Sequence, residues 1–151
     1  MTRETDPGRL FAYGTLIFPE VVSALLGRTP AHTAATLPAH ARFALREREY
    51  PGLVPSDGAS TSGILWEGIS PGEFEILDHY ESDLYECRQL AIFPGAGKTA
   101  REASVYVVPA RYRNLLTPNP WDPARFARDH LAESVAHCER FRRSLADTGV
   151  C

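Results

Sequence analysis

The chain has 151 residues, of which 44% are hydrophobic and 23% charged, and a formal net charge of −3. That length suits one domain able to bury a core without disulfides or metals. The acidic balance argues against a nucleic-acid footprint, and no apolar run reaches the roughly 20 residues of a membrane span. The N-terminus MTRETDPGR lacks the apolar stretch of a signal peptide, so a cytoplasmic location is expected. Three cysteines, Cys87, Cys138 and Cys151, are odd in number and form no CxxC pair, which indicates neither a disulfide framework nor a zinc site.

Residues 1–8 are polar and contain Pro7-Gly8, as in a loose terminus ahead of a first strand from Arg9 to Tyr13. After a Gly14-Thr15 break, PEVVSALLGR carries Pro and an acidic residue at its start, the apolar set Val21, Val22, Leu25 and Leu26, and Gly27 as a stop, which predicts a short helix. From Ala34 to Ile69 apolar stretches (ARFALR, GLVP, GILWEGI) alternate with turn-rich ones (YPG, SDGASTSG), predicting several antiparallel strands. In SPGEFEILDHYE, Ser70 at the N-cap and Glu73 three residues on form a capping box with Pro71 at the first helical position, so a helix over 71–80 is expected.

YECRQLAIF and ASVYVVP read as hairpin strands joined by PGAGKTARE, and a Pro-rich link runs through Trp121. Asp122-Pro123 then opens a second long helix to about Leu145, with Phe126, His130, Val135, Cys138 and Phe141 roughly on one side. In CERFRRSL the arginines suit a helix C-terminus rather than a nucleic-acid patch. The order of elements implies an α+β fold, a mostly antiparallel, curved or closed barrel-like sheet with a few flanking helices, as a single domain over 9–145 with flexible termini at 1–8 and 146–151.

Several motifs are decoys. GAGKT lacks the glycine a P-loop needs five residues before its Gly-Lys, where Ile92 stands, and it precedes a strand rather than a helix. There is no HExxH pair and no GxSxG elbow. His130 and His137 lie seven residues apart near Cys138, a spacing that suits ligands but is commoner among surface or core histidines.

Two features carry chemistry. Phe74, Leu77, Asp78 and Glu81 share one helical face, and the first two mark it as inward. A carboxylate at the end of an apolar stripe is paired, neutralised by a raised pKa, or used as a general base; Arg88 as its partner and full exposure past the helix end are the structural alternatives. Asp78 is expected to bond nearby donors and fix the helix end. At the strand end, Gly14 frees backbone N–H groups that suit a carboxylate or an oxyanion, or simply makes a turn. Tyr50, Tyr106, Tyr112 and Trp121 are candidate pocket walls or core.

Together LFAYGTL, PEVVSALLGRTP, YPGLVP, SGILWEGIS and ILDHYESDLY, in this order over residues 9–133, resemble the γ-glutamylcyclotransferase-like superfamily and its avirulence-induced-gene-like branch. The resemblance implies a barrel-like α+β fold without metal or cofactor. It implies that the loop Tyr13, Gly14, Thr15, Leu16, Ile17 and Phe18 holds a small γ-glutamyl substrate. It further implies that Glu81 accepts a proton, so that a γ-glutamyl amide cyclises to 5-oxoproline and releases an amine or amino acid. A non-catalytic small-metabolite or anion-binding module on the same fold is the alternative. One departure is that Tyr85 is followed by Glu86 and Cys87, with Arg88 one place later than in many members.

Overall fold

The computed structural model describes residues 8–81, 84–95 and 99–148, with side chains of the last helix described as far as Leu145. Strand β1 (Gly8–Ala12) leads through a 3-10 turn (Thr15–Ile17) into helix α1 (Pro19–Leu26). Strands β2 (His32–Leu45) and β3 (Pro51–Ile69) follow, then helix α2 (Pro71–Glu81), strands β4 (Glu86–Pro94) and β5 (Arg101–Val107), a 3-10 turn (Ala110–Leu115), strand β6 (Leu116–Pro120) and helix α3 (Pro123–Thr148).

The sheet runs β3-β1-β5-β4-β2-β6, and β2 also pairs with β3, so the first five of these strands close a barrel and β6 hangs on β2. Closure leaves those five without a free edge, which suits a small all-round core. Every pairing is antiparallel except β1 with β5. The pleat of β1 divides the core in two: Phe11 packs inside the barrel with Leu53, Leu65 and Val105, whereas Leu10 and Ala12 face outward onto α1 and α2 with Trp66, Phe74 and Leu77.

Helix α1 ends where expected, with Gly27 at φ 82°, a left-handed cap that residues other than glycine adopt at a cost. At the start of α2 the Ser70 Oγ accepts the Glu73 N–H at 3.1 Å and Glu73 accepts the Ser70 N–H at 3.0 Å, the reciprocal box read from the sequence. The helix runs on through Glu81. Asp122 caps α3 through the Ala124 N–H at 3.0 Å.

Two expectations are corrected. The segment 34–69 makes two long strands instead of several, and SDGASTSG lies inside β3. Its turn chemistry serves a bent hairpin: the register slips from Pro38↔Ser60 to His40↔Pro55, with Ala39 at φ 61° and Gly58 at φ 80°. The Pro-rich link forms β6, because prolines are tolerated on an edge strand paired on one side only. The ordered elements take in Gly8 and reach Thr148, past both bounds of the expected 9–145 span. Residues 1–7, 149–151 and most of the GAGKT turn (96–98) lie outside the described residues, but β4 and β5 on either side of that turn form antiparallel hairpin arms. Cys87 and Cys138 are free thiols; Cys151 is outside the described residues.

Candidate active site

A cavity of about 460 Å³ opens between one end of the barrel, the C-terminal half of α2 and the face of α3. Glu81 lines it together with Tyr13, Tyr80, Tyr85 and Tyr106, and the loop Gly14-Thr15-Leu16 forms another part of the wall. Glu133, Ser134, His137 and Arg140 of α3 also line it, and all but the half-buried Ser134 are exposed.

Glu81 sits here because α2 persists to its last residue, with Leu77 and Phe74 buried one and two turns earlier. Its side chain is half-buried, and among the described residues no Arg, Lys or His nitrogen lies within ion-pair distance of it. Burial pushes its carboxyl up to about 8, and the neighbouring Asp78 charge adds to the rise. Arg88 is not its partner: it binds Glu86, Nε to Oε2 at 2.6 Å. Asp78 accepts the Tyr106 hydroxyl at 2.5 Å, so it ties the helix end to β5 while disfavouring a second negative charge at Glu81.

The four tyrosines stay neutral. Burial holds each phenol above its ordinary range, and the Glu81 charge pushes every one of them further up. Their hydroxyls are also committed: Tyr13 donates to the Tyr106 carbonyl, Tyr85 to the Pro51 carbonyl at 2.7 Å, and Tyr80 lies 3.4 Å from the Thr15 hydroxyl. The tyrosine wall is therefore uncharged and its hydroxyls are committed, a setting in which a carboxyl is kept protonated near neutral pH.

The loop after β1 is held by its carbonyls. Arg42 Nη1 donates to Tyr13 O at 2.8 Å, Trp66 Nε1 to Leu16 O at 2.9 Å, and the Ile17 and Phe18 N–H groups to Gly14 O and Thr15 O. The N–H groups of Gly14, Thr15 and Leu16 have no protein acceptor among the described residues. The loop thus presents donors with its acceptors already used, an arrangement suited to a carboxylate or oxyanion. Glycine is needed at position 14 because a Cβ there would meet Pro51 Cδ at 2.8 Å.

Of the residues singled out in the sequence, Tyr13, Gly14, Thr15, Leu16 and Glu81 come together around the cavity. Ile17 and Phe18 are not among its lining: both pack on the outer core, and Phe18 stacks on Phe126 at 5.6 Å between ring centres. Tyr50 and Tyr106 are cavity walls; Tyr112 packs in a small core with Val54, and Trp121 is buried with its indole N–H donating to Glu49 O at 2.7 Å. The α3 face was not read from the sequence, although Glu133, His137 and Arg140 recur at i, i+4 and i+7, the period that would have grouped them.

The family model for γ-glutamyl cyclotransferase, AIG2-like, matches residues 10–123. The chain belongs to this family. AIG2-like protein C of Arabidopsis thaliana is 37% identical over 135 residues, covering 87% of this chain and 76% of that protein. AIG2-like protein A of the same plant is 40% identical over 77 residues, which is 51% of this chain and 47% of the relative. Among solved structures, a solution structure of an Arabidopsis thaliana protein is 25% identical with a TM-score of 0.69, covering 98% of this chain and 97% of that one. A structure described as a γ-glutamyl cyclotransferase has a TM-score of 0.64 at 12% identity, over 91% of this chain and 87% of its own, and that likeness concerns the fold. No helix among the described residues is long and apolar enough to cross a membrane.

Proposed function

We propose that this family member is a cyclotransferase for a small γ-glutamyl amide, with Glu81 as general base and then general acid. The observation that carries the reading is a half-buried Glu81, without a cationic partner among the described residues, on the same cavity as a loop with three N–H donors that find no acceptor among them. A γ-glutamyl compound contains its own nucleophile, the α-amine, so the protein has only to fold the substrate and move protons. Glu81, its carboxyl pushed up to about 8, is a stronger base than an ordinary carboxylate and so better suited to take a proton from the α-ammonium.

In this scheme Glu81 takes a proton from the α-ammonium as the amine attacks the γ-carbonyl, and a five-membered ring forms. The N–H groups of Gly14, Thr15 and Leu16 receive the α-carboxylate or the developing oxyanion. Protonated Glu81 then donates to the departing nitrogen as the C–N bond breaks, and the ring nitrogen gives its second proton to the regenerated carboxylate, which passes it on to solvent or to the released amine, leaving 5-oxoproline and an amine or amino acid. The scheme asks for no metal or cofactor.

The test is a 5-oxoproline release assay across γ-glutamyl amino acids, γ-glutamyl amines and glutathione, with Glu81→Gln as the control. Turnover is expected on at least one class and should fall about 10²–10⁴-fold in the variant. Silence on every class, with a γ-glutamyl compound still bound, would assign the cavity to a metabolite-binding module instead.

A further inference from the structure

We propose that Glu49, His130 and Glu133 form a divalent transition-metal site that ties the β2–β3 turn to α3 at the rim of the cavity. One ligand atom from each of the three side chains lies within 4.8 Å of the other two. His130 Nδ1 stands 3.8 Å from Glu49 Oε1, and Glu133 follows His130 by three residues on α3, so both helical donors face the same side. The turn is anchored from behind, where the buried Trp121 donates its indole N–H to Glu49 O at 2.7 Å.

The charge pattern points to a cation. Two carboxylates converge here, and among the described residues no Arg or Lys nitrogen lies within ion-pair distance of either. Arg125 and Arg128 are engaged with Asp129 and Arg48 with Arg46 O, while Arg140 of the same cavity lies seven residues, about two turns, beyond Glu133 on α3. An imidazole lone pair is the third donor, which an alkali or alkaline-earth ion uses poorly and a borderline ion such as Zn²⁺ or Co²⁺ uses well. Metal bonds of ~2.0–2.2 Å need the carboxylates to swing inward, and the exposed Glu49 and Glu133 have the rotamer freedom to do so. One nitrogen and two oxygens leave at least one coordination position for water or for an anionic group at the cavity rim, since Glu49 and Glu133 both line that cavity.

The proposal is independent of turnover at Glu81 and is read without substrate. The chelator-treated full chain is titrated with Zn²⁺ by calorimetry and with Co²⁺ by visible absorption. One ion per chain is expected, with a rise in Tm on Zn²⁺ addition and a Co²⁺ spectrum of low coordination number. His130→Ala should weaken binding by more than the ~10–100-fold that losing a mere orienting partner costs. Glu133→Gln, which keeps the side-chain volume, should weaken it too, while His79→Ala on the exposed face of α2 should leave it unchanged. Circular dichroism confirms that each variant is folded. Equal Zn²⁺ affinity in the parent and in a folded His130→Ala or Glu133→Gln variant would overturn the proposal. So would a Tm rise with 1,5-diaminopentane and none with Zn²⁺, which would assign the carboxylates to an organic ammonium.

Discussion

The two ends of α2 carry the same side chain and treat it in opposite ways. At the first turn, Glu73 is partly buried, which by itself would raise its pKa, yet the Arg28 fork at 2.7 Å and the Ser70 bonds outweigh that and hold the carboxyl below the ordinary range. At the last turn, Glu81 meets no cation among the described residues, faces Asp78 and ends a helix whose dipole disfavours an anion; it is pushed up to about 8. A Glu at the positive end with an Arg becomes structure, and a Glu at the negative end in a tyrosine-lined cavity keeps a raised pKa, as the proposed proton carrier needs.

Breaking the C-terminal end should have the largest effect. Glu81→Gln removes the proposed proton carrier and should lower turnover about 10²–10⁴-fold, read as 5-oxoproline release under saturating substrate. In the parent protein kcat/KM should rise with pH through about 8, because the proposed scheme needs Glu81 as the base, and fall again once the substrate α-ammonium has lost its proton.

Gly14→Ala strikes the donor loop instead: the added methyl meets Pro51 and should cost about 1–3 kcal/mol by denaturant titration, with KM raised more than kcat is lowered. A rise in kcat alone would detach the loop from substrate binding.

The pH dependence of stability separates the two glutamates by sign. Glu81 has a raised folded pKa, so folding takes up a proton that the unfolded chain releases near 4.5; its protonated form is fully accommodated below that pH, and stability falls as pH rises towards about 8. Glu81→Gln should therefore be more stable than the parent at pH 9, by about 1–2 kcal/mol once the water in the open cavity is allowed for, and equal to it at pH 4. Glu73 behaves conversely: its pairing stabilises the fold above the ordinary carboxylate range and is lost as pH falls through its lowered pKa. Glu73→Ala should cost about 1–2 kcal/mol at pH 7, measured by thermal unfolding, with little change in kcat.

The smallest effect should be at Arg88. Because it pairs with Glu86 on the surface, Arg88→Ala should shift stability by less than about 0.5 kcal/mol and leave the pH profile of turnover in place. A moved profile would show Arg88 acting on Glu81 after all.

How much of this was legible depends on whether the information is local. The capping box, the Gly27 stop and the Phe74–Leu77–Glu81 stripe are local, and each stands where its spacing placed it. The continuity of β3 was hidden because Ser56 to Ser62 has a turn's composition, and only the partner strand shows it to be the corner of a bent hairpin. β6 was hidden by its own prolines. At the site, the sequence named the loop and the carboxyl but could not show Ile17 and Phe18 packing on the outer core instead, Phe18 against Phe126 of α3. Nor could it show four tyrosines from three distant segments converging on one carboxyl, since that depends on barrel closure and not on any periodicity.

The ring of strands has a consequence for how the molecule is made. β1 lies between β3 and β5, so this strand, made before the other five of its sheet, keeps one side unpaired until residues 101–107 have been translated. The β2–β3 hairpin and the β4–β5 hairpin form from near neighbours, whereas joining β1 to β5 brings together parts of the chain more than 90 residues apart, as in the Tyr13 hydroxyl bond to the Tyr106 carbonyl. Such long-range closure is slow. The same late step seals the barrel and assembles the tyrosine wall around Glu81, so a partly synthesised chain has neither a finished core nor a complete cavity wall.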